Sequence, residues 1–319
     1  MAISTDHTRT AVLGTMYGLV SAVAYTAANT CLRAVADCDP VWVSAVKSFP
    51  IVVLVGPWLI IQHSRGERIL PAAPVLGALV LASILGQLAG NVLFQWSLGV
   101  VGIALAVPLT LGTIILSGAI LGRVFLSEPL TSRILLSVVT LIAAISILSL
   151  GAGDAHESVI SGQAGLERFP SWLVLAAGVG AAALSGAAYS VLGVVIRYGV
   201  TGRASIATTM VTVGLVGTLA LGGLSQWRIG SDGMWGTEQQ DLAMMLLAGV
   251  LNAFAFLTLT KALQLTTIVY VNALNATQAT MAAVVGIFFF HEAPSSELAL
   301  GVVLTIVGLV LMKQRRGAQ

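Results

Sequence analysis

Charge is what this sequence has least of. Only 9% of its 319 residues are Asp, Glu, Lys or Arg, against 57% apolar, whereas a soluble domain carries about 25% charge to keep its surface wet. Most of the surface must therefore meet something other than water. That excludes a soluble globular domain, and no nucleic-acid partner is expected. Two cysteines, Cys31 and Cys38, are too few for a disulfide framework or a cysteine metal site, and they are not expected to form a required disulfide. Walker A, HExxH and GxSxG motifs are absent, so nothing supports direct drive by ATP, an intramembrane protease or a lipase. No enzyme activity, cofactor or metal is expected. The first ten residues, MAISTDHTRT, are polar and lead into no short apolar region with a cleavage site. No removable signal peptide is expected from them.

What the chain has is long apolar runs. Stretches of about 20 residues recur along its length, and each can cross a hydrocarbon core of about 30 Å as a helix. A helix also satisfies its own backbone hydrogen bonds, which lipid cannot do. The expected spans are Ala11–Leu32, Val41–Ile61, Val75–Leu98, Ile103–Leu121, Ile134–Leu150, Trp172–Ile196, Ser205–Leu224, Leu242–Leu263, Ile268–Phe290 and Leu298–Met312. Basic residues orient them, because Lys and Arg concentrate in cytoplasmic loops. With the N-terminus in the cytoplasm, Arg9, Arg65, Arg68, Arg123, Arg133, Arg197, Arg203, Lys261, Lys313, Arg315 and Arg316 lie inside. Only Arg33, Arg168 and Arg228 lie outside, and Lys47 falls within a span. Both termini are therefore expected in the cytoplasm, and the protein in a cell membrane, plasma or bacterial inner, as a multi-pass chain.

The sequence repeats itself. SAVAYTAANTCLR (Ser21–Arg33) lies without a gap over SGAAYSVLGVVIR (Ser185–Arg197), matching Ser21 with Ser185, Tyr25 with Tyr189 and Arg33 with Arg197. The same offset lays FLSE (Phe125–Glu128) over FFHE (Phe289–Glu292). Two matches at one offset, at opposite ends of a half, define repeats at 1–152 and 172–319 with an extracytoplasmic linker at 153–171. Five spans in each half invert the second relative to the first, the design of many secondary transporters. The expected fold is thus all-α integral membrane, with ten transmembrane helices as two inverted five-helix repeats.

Over almost the whole chain, the sequence resembles the EamA-type transporters of the drug/metabolite transporter superfamily. The resemblance rests on the Glu-Pro turn FLSEPLTSR (Phe125–Arg133), its weaker partner FFFHEAPSS (Phe288–Ser296), Lys47 in VSAVKSFP, KALQLTT (Lys261–Thr267) and Pro108. The second half departs from the pattern. Ala293 splits Glu292 from Pro294, and Val211 or Thr212 stands where span two has Lys47. The resemblance implies ten helices and a central cavity lined by spans one, three, four, six, eight and nine. It also implies carriage of amino acids or other small metabolites.

Polar residues inside lipid are costly and usually face the protein interior or a watery cavity. Ser21, Tyr25 and Asn29 share one face of span one, and Gln87, Asn91 and Gln95 share one face of span three, each set spaced by four. Span six carries Ser185 and Tyr189, span eight Asn252, and span nine Asn272, Asn275 and Gln278. Span four has Thr110, Thr113 and Ser117. The candidate substrate-binding residues are Ser21, Tyr25, Asn29, Lys47, Gln87, Asn91, Gln95, Ser185, Tyr189, Asn252, Asn272 and Asn275. The alternative for each is hydrogen-bonded glue between helices. Lys47 sits about 10 Å into its span at 1.5 Å per residue. It either snorkels, pairs with a neighbour, or offers the cavity a cation that attracts a carboxylate. Glu128 and Glu292 suit the N-terminus of a following helix, and Gly14 and Gly18 suit close helix packing.

Two functions follow. One is a secondary-active transporter, an exporter rather than an importer, of small polar metabolites such as amino acids or related zwitterions. Its partners are the lipid bilayer, the small-molecule substrate and a coupling proton or other ion. The other is a lipid-handling or channel-like membrane protein without a coupled cycle.

Overall fold

The computed structural model describes residues 2–150, 170–290 and 296–312. Outside them lie most of the expected linker with Arg168, the segment with His291, Glu292, Ala293 and Pro294, and the basic residues Lys313, Arg315 and Arg316. Among the described residues every regular element is helical. In chain order they are α1 (Ala2–Ala34), α2 (Pro40–Ser64), α3 (Ala73–Val101), α4 (Ile103–Leu126), α5 (Ser132–Leu150), α6 (Ser171–Val200), α7 (Ile206–Trp235), α8 (Gln239–Leu265), α9 (Ile268–Asn275 continued by Thr277–Phe290) and α10 (Ser296–Met312). Eight of these, all but α5 and α10, are long and apolar enough to cross a membrane. The protein is a multi-pass helical membrane protein.

Local chemistry sets the helix starts. Asp39 caps α2, accepting from Val41 N at 2.9 Å and Trp42 N at 3.0 Å, with Pro40 in the first turn, where a missing N–H costs nothing. Ser205 caps α7 by accepting from Thr208 N at 3.0 Å. Thr267 caps the start of α9. Gly102, at φ 74°, turns the chain between α3 and α4 in a conformation open to glycine. These starts recur between the halves. Close to the offset of the sequence repeat, Pro40 is matched by Ile206, Ile103 by Ile268 and Ser132 by Ser296.

Two helices outrun the apolar stretches that identify them. α1 begins at Ala2, well before Ala11, and α7 continues from Leu224 to Trp235 with a break at Gly230 (φ 67°). Polarity marks where lipid ends, and a helix that makes its own backbone bonds need not end there. Trp227 and Trp235 on that extension are 82% and 88% exposed, as aromatic residues at a membrane–water boundary are.

α1 packs along α8, α4 along α6, and α5 against α10. Glycines set the closest approaches. A Cβ at Gly249 of α8 would lie 2.7 Å from the Lys47 carbonyl and from the ring of Pro50, so α8 meets α2 backbone to backbone beside Lys47. On the face that carries the α4–α5, α6–α7 and α8–α9 turns (the near face), Thr208 donates to Ile69 O at 2.6 Å. On the far face Arg228 pairs with Asp39 at 3.1 Å, and Trp42 Nε1 donates to Thr237 Oγ1 at 2.9 Å. The Cys38 thiol donates to Asp241 at 3.6 Å. Burial, and then the Asp241 carboxylate, push that thiol up to about 11. Cys31 and Cys38 are both free thiols.

Candidate functional site

Between the two halves lies a cavity whose walls come from α1, α2, α3, α4, α6, α7, α8 and α9. Nine of the residues expected at a site line it: Tyr25, Asn29, Lys47, Gln87, Asn91, Tyr189, Asn252, Asn272 and Asn275. The other three do not. Ser185 donates to Gly90 O at 2.8 Å, Gln95 to Leu32 O at 3.0 Å, and Ser21 to Asn275 Oδ1 at 3.5 Å. These bonds tie α6 to α3, α3 to α1 and α1 to α9.

One chain of hydrogen bonds organises the cavity, and a single group sets its direction. Lys47 is 3% exposed, and its ammonium can only donate. It donates to Asn91 Oδ1 at 2.6 Å, so the Asn91 amide nitrogen must point the other way, to Gln87 Oε1. The Gln87 nitrogen then donates to Val213 O of α7 at 3.0 Å. Ser48 donates to Gln87 Oε1 at 3.3 Å, and the Tyr189 hydroxyl donates to Asn91 Oδ1. The orientation of both amides in this chain, Asn91 and Gln87, thus follows from the cation. Gln87 and Asn91 sit in a π-helical turn, Gly86–Asn91, inside α3, a feature frequent at functional sites. Two glycines make room for the chain. A Cβ at Gly217 of α7 would meet Ser48 at 2.5 Å and Gln87 at 2.6 Å, and one at Gly90 would meet the Tyr189 ring at 2.9 Å.

The chain leaves donors over. Lys47 has three N–H groups and, among the described residues, one hydrogen-bond partner and no acidic one. The Tyr25 hydroxyl and the amides of Asn29 and Asn252 make no hydrogen bond to the described residues. Among the described residues no Asp or Glu lines the cavity. On the α9 side, Asn272 donates to Ile114 O at 3.4 Å, and Gln278 donates to Asn275 Oδ1 at 2.8 Å. Towards the near face the lining turns apolar, with Leu192, Ile196, Leu259, Leu263 and Ile268.

Some of this lay outside the sequence expectation. Ser48 and Ile51 bring more of α2 to the cavity, and Val213 brings α7, a helix not expected there. Ser48 adjoins Lys47 and could have been found from that neighbour. Val213 is apolar and joins the network through its carbonyl, which no side-chain pattern signals. Glu128 is another departure. Instead of capping the helix that follows it, its carboxylate accepts from Ile268 N at the start of α9, both oxygens at 3.1 Å.

Polar groups gathered inside a bundle of apolar helices are costly unless they face a cavity or one another, and here they do both. The model of the EamA-like transporter family matches residues 176–313. Over those residues, its second half, the chain is similar to the EamA-like transporters. A solved crystal structure of a protein 18% identical to it superposes with a TM-score of 0.67, covering 93% of this chain and 97% of that one. That likeness shows the fold. No curated protein matches the chain.

Proposed function

We propose that the protein is a secondary carrier of small polar metabolites that bear a carboxylate, amino acids or related zwitterions, and that it exports them across the cell membrane by alternating access. The observation that carries this reading is Lys47. A cation held in a membrane interior must be compensated or used, and this one faces a cavity with no acid in its walls among the described residues. A substrate carboxylate would accept its two spare N–H groups in charge-assisted hydrogen bonds. The free Tyr25 hydroxyl and the amides of Asn29 and Asn252 suit the polar remainder of a zwitterion. A coupling proton or other ion would complete the cycle.

Alternating access here uses ten spans, α5 and α10 included, arranged as two inverted five-helix repeats with both termini in the cytoplasm. Basic residues crowd the near-face loops, which supports that orientation. Helix starts that recur close to the offset of the sequence repeat support the two copies. The near face is then cytoplasmic.

Counterflow in proteoliposomes tests the reading. Vesicles preloaded with an unlabelled amino acid should accumulate the labelled one transiently, and excess competitor should suppress the accumulation. Flux that neither saturates nor shows counterflow would instead identify a channel-like or lipid-handling protein.

A further inference from the structure

We infer that Glu128, Arg197 and the half-helix Ile268–Asn275 form a latched gate that closes the cavity at the near face and must open for substrate to pass. The inference rests on the carrier reading above.

The latch is one ion pair with four anchors. Glu128 lies at the end of α4 and is 7% exposed. Its carboxylate accepts from Ile268 N at the start of α9 and from Arg197 Nε of α6 at 3.4 Å. The Arg197 guanidinium donates in turn to Leu263 O and Gln264 O at the end of α8. One carboxylate–guanidinium unit therefore joins the near-face ends of α4, α6, α8 and α9. The residues beside these anchors, Ile196, Leu263 and Ile268, are also the apolar lining at that end of the cavity. Seal and latch occupy the same level.

The half-helix is set off from the rest of α9. The helical run is interrupted at Ala276, which separates Ile268–Asn275 from Thr277–Phe290. Its neighbours meet it with glycine. A Cβ at Gly18 of α1 would lie 2.6 Å from Leu274, and one at Gly122 of α4 would lie 2.8 Å from Ile268. These glycines let the segment sit close against α1 and α4, so any larger side chain there would displace it. The bonds that fix its N-terminus are non-covalent and partly electrostatic, and so can be exchanged for water when the near face opens.

The same half-helix carries substrate-facing groups. Asn272 and Asn275 line the cavity, and Ile268 both lines it and bonds Glu128. A ligand that pulls on the two amides acts directly on the latched segment. This contiguity is what a population shift between closed and open states needs, since a ligand moves such an equilibrium only by contacting the two states differently.

The test reads gate opening without knowledge of the substrate. In a background with Cys31→Ser and Cys38→Ser, a single cysteine replaces Leu259 in the cavity. A membrane-impermeant maleimide is applied to reconstituted protein from the face that bears Glu128. Labelling should be slow, and Glu128→Gln should speed it roughly tenfold, the ratio expected for loss of one charge-assisted hydrogen bond. Gly122→Ala, which wedges a methyl group against Ile268, should speed it in the same direction through packing alone. Unchanged labelling in folded Glu128→Gln, or in Gly122→Ala should the first variant not fold, would overturn the gate. Faster labelling in a protein that shows no counterflow would keep the gate and reject the carrier reading.

Discussion

The two halves of the molecule share their helix starts but not their chemistry. The first half brings charge to the cavity, through Lys47 and Ser48 of α2, held by Asn91 and Gln87 of α3. The equivalent helix of the second half, α7, offers only the Val213 carbonyl. The repeat alignment places Val211 opposite Lys47. The second half in turn supplies most of the near-face seal, with Ile196, Leu263 and Ile268, and the arginine of the latch. The halves thus keep similar helix starts, while the side chains that face the cavity and its near-face end differ between them.

The sharpest way to break the comparison is to remove the charge from the first half. Lys47→Met keeps length and apolar bulk, and should weaken uptake of carboxylate substrates roughly 10- to 100-fold in counterflow, since a charge-assisted hydrogen bond is worth about 1.5–3 kcal/mol. Adding Val211→Lys should not restore uptake. The residue that the repeat alignment sets opposite Asn91 is Ala255, which has no amide to orient a cation.

A subtler variant satisfies the cation from within. Asn91→Asp places a carboxylate against Lys47 and competes with the substrate for its donors. Uptake should fall about tenfold. Uptake at the parent level would show that Lys47 does not meet the substrate.

At the far face the comparison predicts a thiol that reacts slowly. With its titration pushed up to about 11, Cys38 is mostly protonated at pH 8, and the thiolate is the nucleophile. Alkylation should climb from pH 8 towards 11. Asp241→Asn removes the nearby carboxylate and should speed alkylation at pH 8 several-fold, short of an exposed thiol because burial remains. The smallest effect separates ties from site. Ser185→Ala loses the bond to Gly90 O and should cost about 0.6 kcal/mol of stability, with uptake unchanged. Stability would be read from thermal unfolding in detergent.

These outcomes bear on how much could be read from the sequence. Apolar runs placed the helices to within a few residues wherever lipid and helix end together, as at Ile103 and Ile268. They missed the tail of α7, where the helix runs on past the apolar stretch. Polarity inside apolar spans found nine residues that reach the cavity, because a polar helix face is a property of one segment. Whether that face meets a cavity or another helix depends on a neighbour, and this is why Ser21, Gln95 and Ser185 turned out to tie helices together. Glu128 shows the limit most clearly. Its partner Ile268 lies 140 residues away, and the sequence near Glu128 points only to the helix that comes next.

On the proposed reading, Lys47 alone gives a neutral cavity its preference for a carboxylate. Thermal stabilisation of the purified protein by amino acids, each compared with its own carboxamide, tests it most directly. The acid should stabilise and the amide should not, and Lys47→Met should abolish the difference while leaving the unliganded melting temperature near the parent value. Equal stabilisation by acid and amide, or a preference that survives in Lys47→Met, would contradict it.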